Sequence, residues 1–229
     1  MGHTDAMMRW LPACGIITLL LDLLVTCGLA ATDPDYSHSR QYISELGEDG
    51  RPYAAVFNAW SVVYGVLFAS FAVSLGRGLN SRPVLIACLV LAACSVLAAV
   101  FPCDPGCACE TPSARVHMLT GLLSFPAIIL APVFAWFAMK ESAAWRGYRA
   151  FTLACAALLM ADTGWLAACQ FLGRERDGRA LGAAQRLIVG VQYVWFVTVA
   201  LRLWRLAGMP SSGMSGEEFA SMTRREAGV

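Results

Sequence analysis

His117 and Asp104 are the two side chains whose types and placement come closest to catalysis: an imidazole can take a proton from water or a hydroxyl, and a carboxylate can orient it. Arg186 would add a fixed positive charge for a phosphate or an oxyanion. Glu45, Asn58, Asp104, His117, Gln185 and Arg186 make up the candidate ligand-binding set, with His117 and Asp104 as the catalytic candidates within it. No G-x-S-x-G, H-E-x-x-H, P-loop or G-x-G-x-x-G accompanies them, so no reaction is assigned. The plain alternative is that His117 hydrogen-bonds a loop carbonyl.

The cysteines offer a second chemistry. Phe101-Pro-Cys-Asp-Pro-Gly-Cys-Ala-Cys109 contains an Asp-Pro-Gly turn that brings Cys103 and Cys107 together, and on an oxidising side of a membrane the pair is a disulfide candidate. A zinc reading of C-x3-C-x-C with His117 ranks lower, because the spacing is not that of a zinc knuckle. His38, Asp104 and His117 with Glu45 nearby are too scattered to define a metal site, so no metal and no cofactor is expected. Cys14, Cys27, Cys88, Cys94, Cys155 and Cys169 read as small apolar packing residues.

The elements that must position these groups are apolar rods. Of 229 residues 58% are hydrophobic and 14% charged, against roughly 25% charged in a soluble domain. Six runs reach the roughly 20 residues needed to cross a bilayer: 11–31, 53–75, 83–102, 116–139, 150–172 and 181–206. The expectation is an all-α, polytopic bundle of six transmembrane helices in a single domain over 1–206, followed by a flexible cytoplasmic tail over 207–229. With net charge +1 and no basic stripe, nucleic acid is excluded as a partner.

Lysine and arginine in short loops stay on the cytoplasmic side. Arg9, Arg77, Arg82, Lys140, Arg146, Arg149, Arg205, Arg224 and Arg225 share one side, against Arg40, Arg51, Arg115, Arg174, Arg176 and Arg179 on the other. Both termini are therefore expected to be cytoplasmic. Gly28-Leu29-Ala30 before Ala31 has the look of a signal cleavage site, but the length of the run and Asp22 in its middle favour an uncleaved span.

Asp22 and Asp162 fall near the midplane, where a carboxylate adds about 2.5 to 3.5 kcal/mol to insertion and must face protein or trapped water. Gly15, Thr18, Asp22 and Thr26 share one helix face, as do Asn58, Ser61, Gly65 and Ala69, and His117, Thr120, Gly121 and Ser124. Such stripes read first as packing seams. The first outer loop mixes Tyr42, Ile43 and Leu46 with His38, Arg40 and Glu45, which suggests a segment folded onto the bundle mouth, with Ser44 or an earlier serine capping a short helix.

At these residues the chain resembles the bacterial membrane family called domain of unknown function 998. The points of likeness are Tyr42-Ile43-Ser44-Glu45-Leu46-Gly47, Asn58, Phe101-Pro-Cys-Asp-Pro-Gly106, His117 and Gln185-Arg186, over nearly the whole chain. Ile43 to Gly47 with Pro52 and Phe57 is also similar to the eukaryotic Frag/DRAM/Sfk family, six-span proteins tied to lipid remodelling. The resemblance implies a lipid theme and supplies no reaction; Cys107 and Cys109 depart from the pattern.

The expected function is that of a multi-pass protein of the plasma membrane, the bacterial inner membrane, binding or processing a membrane lipid or other amphiphile in an outward-facing polar cavity. A lipid hydrolase or acyl-transfer enzyme at the same residues is the first alternative. A small-solute or proton-coupled transporter built on Asp22 and Asp162 is the second.

Overall fold

Inside hydrocarbon a backbone must satisfy its own N–H and C=O groups, so long apolar runs fold as helices. The computed structural model describes residues 3–171 and 180–208. It contains six long helices: α1 His3–Thr32, α2 Ala54–Gly78, α3 Arg82–Val100, α4 Pro112–Lys140, α5 Arg149–Phe171 and α6 Leu181–Gly208. Among the described residues there is no strand. All six helices are long and apolar enough to cross a membrane, and the chain is a multi-pass membrane protein. The fifth-loop arginines Arg174, Arg176 and Arg179, and the expected tail from residue 209 on, lie outside the described residues.

Helix ends follow their caps. Thr111 accepts the Ala114 amide at 3.2 Å and Pro112 follows it, so α4 starts four residues ahead of the expected span. Ser81 caps α3 in the same way, with Pro83 in its first turn. Arg149 closes the other end of α4, donating to the Met139, Lys140 and Ser142 carbonyls at 2.9, 2.8 and 3.2 Å.

Each helix packs on its neighbours in sequence, and α6 returns to pack on α1, which makes a closed ring. Without a hydrophobic force between helices in lipid, shape and dispersion must hold the ring, and aromatic side chains fill it. Phe68 and Phe71 of α2 meet Phe196 of α6 at centroid distances of 5.0 and 5.7 Å, and Trp195 lies 4.8 Å from Phe196. Trp195 is fully buried and donates its indole N–H to Thr152 at 3.2 Å.

The polar stripes of α1 and α2 face inward, with Thr18 and Thr26 buried and Ser95 of α3 donating to the Ser61 carbonyl at 3.0 Å. Cys88, Cys94 and Cys155 are buried as expected of packing residues, whereas Cys14 and Cys27 are exposed among lipid-facing leucines.

Trp195→Ala should open a cavity that the ring cannot close, costing on the order of 3 kcal/mol. Thermal unfolding of the purified protein in detergent reads it as a lowered midpoint; an unchanged midpoint would mean the aromatic filling does not hold the ring.

Candidate functional site

The loop between α1 and α2 folds back over the ring as a cap. It contains a short 3-10 helix, Ile43–Gly47, capped differently from the serine scheme expected: Glu45 takes the Tyr42 amide at 3.0 Å and the Gln41 side-chain amide at 3.1 Å. Glu45 is buried, as is Tyr42. Gln185 at the start of α6 accepts the Ile43 amide at 2.6 Å, and Asn58 at the start of α2 donates to the Gly47 carbonyl at 3.0 Å.

Arg186 is the centre of this cap. Its Nη1 donates to the carbonyls of His38, Gln41 and Gly182 at 2.6, 2.9 and 3.0 Å, its Nε to His38 Nδ1 at 3.1 Å, and its Nη2 to the Tyr36 hydroxyl at 2.5 Å. Tyr36 passes the chain on, donating to the Tyr42 carbonyl at 2.7 Å. Its ring lies between two guanidinium groups, Arg186 at 5.5 Å and Arg51 at 5.9 Å. Burial raises the Tyr36 phenol above its usual range, against the pull of Arg186.

The loop can approach α6 this closely only because residue 182 is glycine. A β-carbon there would run into the Gln41 and His38 carbonyl oxygens. The Ala183 amide beside it donates to the Ser39 carbonyl at 3.1 Å.

The third loop joins the cap through Glu48. This buried carboxylate holds Arg51 at 2.8 Å with one oxygen and the Gly106 amide at 2.7 Å with the other, and Arg51 continues to Asp33 at 3.2 Å. Burial works against the Arg51 charge, but Glu48 and Asp33 prevail and raise its pKa. Gly106 has φ of +65°, the left-handed turn conformation expected of Asp-Pro-Gly. The turn brings Cys103 and Cys107 together as thiols, sulfur to sulfur 2.9 Å.

The catalytic candidates are not joined to each other. Asp104 accepts the amides of Glu110 and Thr111, both at 2.9 Å, and the Thr111 hydroxyl at 2.7 Å. Those Thr111 bonds lower its pKa, and the carboxylate helps to set the start of α4. His117 Nδ1 faces the Ala98 and Phe101 carbonyls at 3.2 and 3.0 Å, so that nitrogen carries the hydrogen and closes the end of α3. Glu45, Asn58, Gln185 and Arg186 thus meet in one cap, while Asp104 and His117 organise the adjoining loop.

Asp22 lies deep in the ring with partners the sequence reading missed. Trp60 donates to one carboxylate oxygen at 2.7 Å and Tyr193 to the other, with Tyr64 hydrogen-bonded to Tyr193. The available signal was amphipathic aromatic groups in mid-span, which need an acceptor when buried. Asp162 differs: its Oδ2 and the Thr163 hydroxyl are buried with no partner among the described residues. Asp162 lines a crevice of about 320 Å³ between α5 and α6, together with Leu158, Leu159, Leu187, Ile188 and Val191. A second groove of about 240 Å³ runs between α1 and α6 past Tyr193.

A closed ring of apolar helices with a hydrogen-bonded cap defines a polytopic helical membrane protein. The family model described as "Protein of unknown function (DUF998)" matches residues 16–202, and the chain belongs to that family. No curated protein and no solved structure matches it.

Asp22→Leu should strand the Trp60 and Tyr193 donors and destabilise the fold by about 1 to 3 kcal/mol, with Asp22→Asn milder because one acceptor remains. Tryptophan fluorescence during thermal unfolding distinguishes the two.

His38 supplies a pH dependence. Burial, then Arg186, lowers its pKa, so the docked loop holds a neutral ring that accepts from Arg186. As pH falls below about 6.5 the undocked loop takes the proton more readily than the docked one. Docking should weaken from there down through the lower pKa of docked His38. Amide exchange over residues 36–46 should quicken on acidification and lose that response in His38→Gln.

Proposed function

We propose that the protein binds a lipid or other amphiphile of the surrounding membrane, its chain lying in the crevice between α5 and α6 and its polar group directed toward the cap. The observation that carries this reading is Asp162, whose Oδ2 has no partner among the described residues, in a crevice otherwise walled by alanine, leucine, isoleucine and valine. In hydrocarbon such an atom costs several kcal/mol, and a hydroxyl or amine carried along the occupant's chain, apart from its polar group at the cap, would satisfy the carboxylate. A volume near 320 Å³ falls at the lower end of small-molecule sites.

Leu187 and Ile188 of the crevice follow directly on Gln185 and Arg186, so an occupant lying along α6 has its polar end near the cap. Glu45, Asn58, Gln185 and Arg186 then form the polar frame at the cap, with Asp104 and His117 bracing the loop beside it. The basic residues Arg77, Arg82, Lys140, Arg146 and Arg149 lie at the opposite end of the ring, which supports cytoplasmic termini and an outward-facing cap; the membrane proposed is the bacterial plasma membrane.

The test is native mass spectrometry of the purified protein against a panel of membrane lipids. Asp162→Leu, which removes the carboxylate, and Leu187→Trp, which fills the crevice, should each lower retention of the preferred lipid about tenfold or more. If both variants keep their melting points and still retain every lipid as the parent protein does, the crevice is not the site.

A further inference from the structure

The third loop carries two thiols already in contact, and the groups around them set the geometry of that contact. Cys103 is buried and Cys107 is partly exposed, with 2.9 Å between their sulfur atoms. Gly106 and Cys107 both take positive φ, +65° and +51°, which folds the turn tightly enough for the side chains to meet. Glu48 of the first loop clamps the turn from outside through the Gly106 amide at 2.7 Å. Ser44 completes the surround, its hydroxyl 3.5 Å from the Cys107 sulfur and its carbonyl 3.8 Å from that of Cys103.

We infer that Cys103 and Cys107 are a reversible thiol–disulfide pair, closed by exchange with a disulfide-bearing oxidant. A disulfide has its sulfurs about 2.05 Å apart, so closure requires a movement of less than about 1 Å along a line the two atoms already share. Exposure sets the order of events. Cys107, as thiolate after loss of its proton, attacks one sulfur of the oxidant, forming a mixed disulfide and expelling the oxidant's other sulfur as thiolate. Cys103 then loses its proton and attacks the Cys107 sulfur, expelling the second thiolate. Two protons leave the protein and two electrons pass to the oxidant, whose S–S bond is replaced by Cys103–Cys107. Cys103 suits the second role: its hydrogen bond with Cys107, its burial and the nearby Glu48 and Glu45 carboxylates all hold it as a thiol, its pKa raised.

The bond spans so short a stretch of chain that it constrains the unfolded state little. Its effect is local. Closure removes the S–H hydrogen that Cys103 directs at the Ser44 carbonyl, so oxidation loosens one contact between the loop and the 3-10 helix that carries Glu45, while the Glu48 clamp on Gly106 stays.

Cys109, exposed two residues further on, is the competing thiol, and the experiment separates the two. The full-length protein in detergent is treated with oxidised glutathione, its remaining thiols are blocked with one maleimide, and after reduction the newly released thiols are labelled with a second. The second label should appear together on Cys103 and Cys107 in the parent protein and in Cys109→Ser, and should be absent from both after pretreatment with dithiothreitol alone. In Cys103→Ser, Cys107 should stop at the glutathione adduct. Second label on Cys109 with Cys107, or first label on Cys103 throughout, overturns the inference, and this reading comes from the parent protein without reliance on a variant.

Discussion

The guanidinium of Arg186 is the point on which the arrangement at the cap end depends. A loop lying over a membrane bundle has backbone carbonyls that no helix supplies with donors, and leaving them unpaired is costly wherever water is scarce. Arg186 meets this cost in one place, since a planar group with five N–H donors can serve several acceptors at fixed angles. Two of its acceptors are loop carbonyls, those of His38 and Gln41, and a third is the Tyr36 hydroxyl, which in turn satisfies Tyr42. The position of Glu45, and through Glu48 the position of the third loop, follows from that docking.

The bilayer imposes the same accounting on the interior, with two different outcomes. Asp22 is surrounded by donors from α2 and α6, so the acid works as a tie between three helices. Asp162 faces a seam of hydrocarbon side chains and has one oxygen without a donor among the described residues. Two aspartates at similar depth therefore carry different implications: the first is explained by the fold alone, and the second asks for something the fold does not provide. Helix α6 borders both, with the crevice on its α5 side and the groove on its α1 side.

The six spans could be read from the sequence because lipid demands about 20 apolar residues per crossing, and few other folds produce such runs. Family membership was legible too, in the Tyr42–Gly47 and Phe101–Gly106 segments, and the family model covers both. Partners were less visible. Glu45, Asn58, Gln185, Asp104 and His117 bond chiefly to backbone amides and carbonyls, which every residue possesses and no sequence pattern marks. The Trp60, Tyr64 and Tyr193 cluster escaped notice for a different reason: aromatic residues in a span read as apolar bulk until their single polar atom is found to point at an acid. The serine cap expected for the short helix failed because Ser44 lies inside it, one residue before the glutamate that does the capping.

The pairing of cap and ring also has a temporal side. Arg186 and Gln185 lie between 142 and 150 residues after their partners in the first loop. During synthesis, then, His38, Gln41 and Ile43 wait for 142 to 148 further residues to be made before the side chains that hold them arrive. For that interval the first loop is without its anchor, and the first five helices form a ring with a gap. Entry of the last helix closes the circle and fastens its lid in one event, so a chain cut short before α6 would lose both together.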